Sequence, residues 1–287
     1  MAIELSTPRV DGLSEAVDAM REWQQDPAFQ LHPGDIGWFW RFGAEATAAA
    51  VRTWHDDGRL LALGLLDGHD LLRLAIAPDA QQDEELAQVL VADFRDPERG
   101  VLPTGRVFVE APANAMVQDR LAEDGWDTDV PWTPLRRDLS HPVPDPGLTI
   151  TAAGPEQADR RVAVHRAAFD RSTFTIASWH AMAGGSPYAD ARCLVAHDDD
   201  GNAVGAVTIW SAGPGRPGLL EPMGVSREHR GKGYGRAINL AAAAALQEMG
   251  SSSAVVCTPS SNVGGVAAYV SAGFVPLPEV RDRRREP

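Results

Sequence analysis

The chain has 287 residues, 44% hydrophobic and 23% charged, which suits one large or two ordinary globular domains. Its formal net charge of -14 excludes the broad basic surface that nucleic acid requires. No apolar run reaches the roughly 18 residues of a membrane helix, no basic-then-apolar leader opens the sequence, and no Cys/His spacing suggests a metal. We therefore expect no nucleic-acid partner, no membrane contact and no bound metal. The two cysteines, Cys193 and Cys257, sit in apparent strands and read as thiols in a reducing cytoplasm.

Taken in order, residues 2–6 read as a strand and Leu13 to Trp23 as a helix. Ile36 to Trp40 starts a short helix. Val51 to Leu66 forms a hairpin about Asp57-Gly58, a strong turn signal. A third strand covers Asp70 to Ala77. Asp83 to Phe94 is helical, Val107 to Glu110 a strand, Ala115 to Asp124 a helix, and Trp132 to Leu139 a closing strand. Ser140 to Gly147 contains three prolines and reads as a linker.

The second half repeats this plan. Leu148 to Thr151 is a strand, followed by helices over Pro155 to Phe169 and Ile176 to Met182. Arg192 to His197 and Ala203 to Trp210 make a hairpin about Asp200-Gly201. The apolar strand carrying Glu221, Met223 and Val225 leads into a charged turn. Three alternating glycines follow, Gly231, Gly233 and Gly235, and then an Ala-rich helix to Met249, which Gly250 ends. A strand at Ala254 to Thr258, a helix from Asn262, and Arg281 to Arg285 complete the chain. Asn114 and Gly125-Trp126 are spaced as Asn262 and Gly273-Phe274 are, which marks an internal repeat.

The junction at residues 225–236 has a specific chemistry. A helix start leaves N–H groups unpaired and carries partial positive charge. Glycines let an anion approach that backbone closely. Arg227, Arg230, Lys232 and Arg236 reverse the local charge of an acidic chain. A phosphate or pyrophosphate is the expected ligand. The spacing fits neither a Walker loop nor a dinucleotide fingerprint.

Arg230-Gly-Lys-Gly-Tyr-Gly235 resembles the Arg/Gln-x-x-Gly-x-Gly/Ala signature of the GNAT superfamily of acetyl-CoA-dependent N-acetyltransferases. Asn262 to Phe274 resembles the superfamily's Asn-x-x-Ala-x-x-Leu-Tyr-x-x-x-Gly-Phe helix, with departures at Gly265 and Ala268. The resemblance implies an α/β fold. Each half is a mixed sheet flanked by helices, with a splay between the fourth and fifth strands of the second copy. It implies a degenerate domain over residues 1–140, a linker over 141–147 and a catalytic domain over 148–287. In the first copy Gln81-Gln-Asp-Glu-Glu-Leu86 replaces the glycine loop and Leu121 replaces Tyr269, so no CoA is expected there.

By the same resemblance, Arg230, Gly231, Lys232, Gly233, Tyr234, Gly235 and Arg236 hold the pyrophosphate of acetyl-CoA. Met223 and Val225 flank pantetheine, with the Val225 N–H on the thioester carbonyl. Asn262 contacts the pantetheine arm or caps its helix. Tyr269 is the acid for the leaving thiolate, or else core packing. Glu221 is the base for the amine, an acceptor-binding carboxylate, or half of a structural ion pair. His165, His180 and His229 are weaker candidates. Asp170, Tyr188 and Asp190 lie in the variable acceptor region, and the acceptor is expected between Trp179 and Trp210.

The expected protein is a cytoplasmic N-acetyltransferase, monomer or homodimer. It acts on a small cationic amine by direct attack in a ternary complex. The tandem plan is also similar to that of the mycothiol synthases, which acetylate a cysteinyl sugar conjugate. Protein or peptide N-acetylation, and a non-catalytic acyl-CoA-binding module, remain alternatives.

Overall fold

The computed structural model of the protein describes residues 3–27 and 29–287. They form two compact units. The first runs to His32, resumes over Ala44–Trp132 and includes Glu279–Pro287; the second comprises Pro33–Gly43 and Thr133–Pro278.

Along the chain come β1 (Glu4–Ser6), α1 (Leu13–Glu22), α2 (Pro33–Phe39) and α3 (Ala44–Ala50). Then follow β2 (Val51–Asp56), β3 (Arg59–Leu66), β4 (Leu71–Ile76), α4 (Glu84–Arg95), β5 (Val107–Glu110), α5 (Met116–Glu123) and β6 (Asp127–Asp138). Ala2, which the sequence reading placed in the first strand, lies outside the described residues. In the first unit β1 to β5 pair in sequence order, antiparallel except that β4 and β5 are parallel. Asp57 and Gly58 both take positive φ, 48° and 78°, as the tight turn between β2 and β3 requires. One stripe of α1 is buried, Leu13, Ala16, Val17 and Met20, at the spacing of one helix face.

The second half supplies β7 (Thr149–Ala152), α6 (Ala158–Ala168), α7 (Ile176–Ala183), β8 (Ala191–His197), β9 (Ala203–Ser211) and β10 (Gly218–Val225). After these come α8 (Tyr234–Glu248), β11 (Ser253–Pro259), α9 (Val263–Ser271), β12 (Val275–Pro276) and β13 (Val280–Arg285). In the second unit the strands run β6-β11-β10-β9-β8-β7, with β12 on β6. α8 is buried nearly all round, from Ala237 through Leu246, and packs on the sheet face that carries Leu194, Val207, Ile209 and Leu220. Each of these larger aliphatic side chains contributes about 1.5–3 kcal/mol by leaving water. The opposite sheet face carries Cys193, Thr208, Trp210 and Glu221, because neighbours along a strand alternate.

Three segments are distributed differently from the sequence reading. Pro33–Gly43, which lies between β1 and β2 in sequence, belongs to the second unit. Gly34 and Gly37 explain its seat there. A Cβ on either would come within 2.5 or 2.3 Å of the Trp210 side chain, so glycine lets α2 lie directly on that indole. Ser140 to Gly147 lacks regular structure, yet its start is held on the second unit. Gln247 Nε2 donates to the Leu139 and His141 carbonyls, both at 2.7 Å. Finally, the closing strands are exchanged. β13 pairs with β5 and with β6 up to Trp132 in the first unit, while β6 from Thr133 onward neighbours β11 in the second. The sequence reading had no strand at β12 and no helix at α3.

No helix of the described residues is long and apolar enough to cross a membrane.

Candidate active site

The site begins where β10 parts from β11. The two strands pair in parallel only at Gly218–Leu219 with Ala254–Val255, although β10 continues to Val225 and β11 to Pro259. The expected splay is therefore present. Pro222 brings no N–H to a ladder. The register against β9 shifts between Leu220 and Met223, so Glu221 and Pro222 together oppose Thr208. Trp210 Nε1 donates to the Glu221 carbonyl at 2.6 Å and fixes this bulge.

Beyond the bulge the ladder regains its alternation. The Ser226 N–H donates to the Val204 carbonyl at 2.9 Å, and Gly224 pairs with Ala206. The N–H groups of Met223 and Val225 thus point away from β9 and into the gap toward β11. Both residues are half-buried.

The glycine loop joins this gap. Gly231 and Gly233 take φ of 78° and 87°, and nothing lies within 4 Å of where a Cβ would stand on either. Gly233 caps α8 with no side chain to accept its first N–H groups. Among the described residues, none of the six backbone N–H groups from Gly231 to Arg236 has a protein acceptor. Six unpaired donors at the positive end of a 15-residue helix form an anion cradle. Gly235 lets the helix start approach α9, since a Cβ there would stand 3.1 Å from that of Ala268.

The cations around the loop are differently engaged than their sequence pattern suggests. Arg230 Nη2 donates to the Ala168 carbonyl at 2.7 Å and its Nε to the Val225 carbonyl at 3.4 Å, so it braces loop, strand and α6. Arg236 Nε donates to the Ser271 carbonyl at 3.1 Å. Arg227 pairs with Asp170. Lys232 is exposed, with no partner among the described residues.

Tyr269 is buried, 6% exposed, near the end of α9. Its phenol is held well above the ordinary tyrosine range by burial first, then by the negative charge of Glu221, then by Cys257. Asn262 caps α9. Its Oδ1 accepts from the Gly265 N–H at 3.1 Å and its Nδ2 donates to Thr258 Oγ1 at 3.0 Å. Of its two sequence readings, the cap is therefore realised. A Cβ at Gly265 would fall 2.3 Å from that amide, which accounts for the departure from Ala at this position.

On the α2, α6 and α7 side lies an aromatic layer. Tyr188 stands edge-on between Trp179 and Trp210, with ring centroids 6.0 and 6.1 Å away. The space expected between those two indoles is thus filled by a third ring. His165 is buried among Trp38, Phe169 and Phe174, with centroids at 5.5, 4.6 and 4.8 Å. Burial first, then Arg161 and Arg41, drive its pKa down to about 3. It is neutral at pH 7 and too weakly basic to deprotonate an ammonium. His180 is exposed against Trp179. The sequence reading missed Arg161, Trp38 and Asn239. Asn239 has a legible signal, a lone amide in an Ala/Ile/Leu run, and is fully buried with both polar atoms unpartnered.

The corresponding junction in the first unit is built differently. The N-cap of α4 is Asp83, whose carboxylate accepts the Leu86 N–H at 3.0 Å. A fixed negative charge stands there, and the position matching Tyr269 holds the fully buried Leu121.

Residues 161–274 match the model of the acetyltransferase (GNAT) family. A GCN5-related N-acetyltransferase from Sphaerobacter thermophilus is 20% identical, with 99% of this chain and 95% of that one covered at a TM-score of 0.60. A GNAT-family acetyltransferase from Colwellia psychrerythraea is 14% identical, covering 100% and 99%, at 0.64. A tandem GNAT protein from the clavulanic acid biosynthesis pathway is 15% identical, covering 99% and 98%, at 0.60. At these identities the likeness is one of fold. No curated protein matches the sequence. The matched segment spans the bulged strand, the glycine loop and the Tyr269 helix, and residues 161–274 are a GNAT-family acetyltransferase domain.

Proposed function

We propose that the protein is an acetyl-CoA-dependent N-acetyltransferase acting through its second unit on a small amine. The observation that carries this is the run of six unpaired N–H groups opening onto the gap between β10 and β11. The cradle fits a pyrophosphate, with Lys232 adding charge and Arg230 and Arg236 holding the loop in shape. Met223 and Val225 line the gap for the pantetheine arm. Acetyl-CoA supplies the acyl group as an activated thioester. The Val225 N–H is directed to donate to its carbonyl oxygen, where negative charge gathers during attack. Tyr269 holds a proton for the departing sulfur, and Glu221, on the acceptor side of the strand, receives the proton of the amine. Asn262 supports the site as a cap. Cys193 and Cys257, which form no disulfide among the described residues, accord with a cytoplasmic setting. Thiol release from acetyl-CoA, measured across a panel of amines, tests the activity. Acetyl-CoA bound without amine-dependent release would instead identify a binding module.

The Asp83 cap leaves the first unit without a comparable cradle. Calorimetric titration with CoA should therefore give one site per chain, and a stoichiometry of two would refute the single-site reading.

Glu221→Gln keeps the shape of the side chain and cannot take the proton. An alkyl-ammonium has a pKa of about 10, so free amine is scarce at pH 7 and rises about tenfold per unit toward that value. We expect the variant to be slowest relative to wild type at neutral pH and to recover as pH rises. An unchanged ratio across pH would assign proton transfer to water or another group. A raised acceptor KM at constant kcat would make Glu221 a binding residue only.

A further inference from the structure

The layer between the sheet and α2, α6 and α7 contains a buried cation that the proposed chemistry leaves unused. Arg161 on α6 is 1% exposed. Its Nη2 donates to Thr208 Oγ1 at 3.1 Å, and its guanidinium carbon lies 5.8 Å from the Phe174 ring centroid. Burial weakens its hold on the proton, and only the Cys193 thiol and the Tyr188 hydroxyl favour its charge. No carboxylate among the described residues is paired with it. Its Nε is sealed from solvent and has no acceptor. A buried arginine with no anion opposite is costly, because desolvation is not offset.

Arg161 is accompanied by a second such donor. Trp179 Nε1 is also buried without an acceptor. Trp179, Tyr188 and Trp210 run ring to ring, and Phe174 joins Arg161 to His165 and Trp38. The cluster is therefore short of acceptors and has donors to spare. A ligand that completes it brings oxygens with negative charge. Trp38, Tyr188 and Glu221 are half-buried, so the layer meets solvent along them. Thr208, which holds Arg161, is also the residue opposite the Glu221 bulge.

We propose that the acceptor amine carries a carboxylate, that Arg161 receives this carboxylate within the aromatic layer, and that Glu221 faces the ammonium one strand away. The acceptor class is then amino-acid-like, with an apolar body among the rings. Planar, bidentate capture of a carboxylate is what a guanidinium does best. This rests on the acetyltransferase reading for its first test and not for its second.

The first test compares amine pairs that differ only in the carboxylate, such as phenylalanine with phenethylamine and leucine with isoamylamine. A site built for a polar group rejects the analogue lacking it by about 10⁴–10⁵-fold in kcat/KM in the best cases, and we expect at least about 10²-fold. Arg161→Gln should collapse that ratio toward unity. Equal losses on both members of each pair, or a wild-type preference for the carboxylate-free amines, would overturn the proposal. The second test needs no turnover. Tryptophan fluorescence should report 3-phenylpropanoate binding in wild type, weak or no binding of 3-phenylpropan-1-ol, and loss of the propanoate signal in Arg161→Gln. If no amine is acetylated but the propanoate still binds through Arg161, the catalytic reading fails and the carboxylate site stands. If wild type acetylates amines but binds propanoate and propanol alike, the reverse holds. Arg161→Met should melt at or above the wild-type temperature, since it removes a buried cation with nothing opposite it. A marked fall would show that the Thr208 contact is the reason for Arg161, and would overturn the proposal.

Discussion

Replacing Tyr269 by phenylalanine should lower kcat about 10²–10⁴-fold while leaving CoA affinity nearly unchanged. The substitution removes one hydroxyl from a ring that stays packed against Phe274, whose centroid is 5.7 Å away. Stability should change little, because only the volume of one hydroxyl is lost from the core. The rate should change because Tyr269 retains its proton at any working pH. Burial is the larger cause and the Glu221 charge the next. The second cause makes the pair responsive. In the proposed mechanism, a proton taken from the amine would remove the charge of Glu221, and with it one of the forces holding the proton on Tyr269. The proposed acid would then become stronger at the stage when sulfur departs. Wild-type turnover by Tyr269→Phe, measured with a donor whose thiol is a poor leaving group, would reduce Tyr269 to packing.

The largest effect on binding should come from Gly233→Glu. Two unit charges about 4 Å apart near a protein surface interact by about 4 kcal/mol, or about 10³-fold in affinity. Here a carboxylate would meet the pyrophosphate in the cradle, and it would stand on a left-handed backbone position with φ of 87°. Calorimetry should show CoA affinity reduced at least about 10³-fold. Gly233→Ala separates the two causes. It carries the backbone strain without the charge, in a place with nothing within 4 Å to strike, and should lose far less. Equal affinity of Gly233→Glu and wild type for CoA would remove the anion from this loop.

Much of this was legible because it is local. The Asp57-Gly58 turn, the Asp83 start of α4 and the glycine loop before α8 are each written in a few adjacent residues. The splay was inferred from the family motif, and its physical mark in this chain is Pro222 within an otherwise apolar strand. What stayed hidden depends on distant partners. Nothing in Pro33-Gly-Asp-Ile-Gly37 says that its glycines face Trp210, more than 170 residues later. Arg161 looks like a solvated residue in Ala158–Ala168, a helix with little amphipathic contrast, and only the fold shows it sealed. The loop arginines were legible as charge, and their contacts within the chain were not. Arg230 and Arg236 brace carbonyls that the sequence gives no reason to expect within reach.

The exchange of closing strands has a consequence for the order in which the chain can mature. During synthesis β1 to β5 leave the ribosome early, yet the strand that completes their sheet, β13, comes after every element of the second unit. Until then β5 presents an open edge, the kind of surface on which chains associate wrongly. The second unit faces no such delay at its β11 edge, since β6 has already been made. The half with the candidate active site can therefore assemble first, and the half without a CoA cradle closes last around Arg283–Arg285. A stop codon just before Val280 would spare every residue of the proposed site and still leave the opposite half of the molecule unfinished.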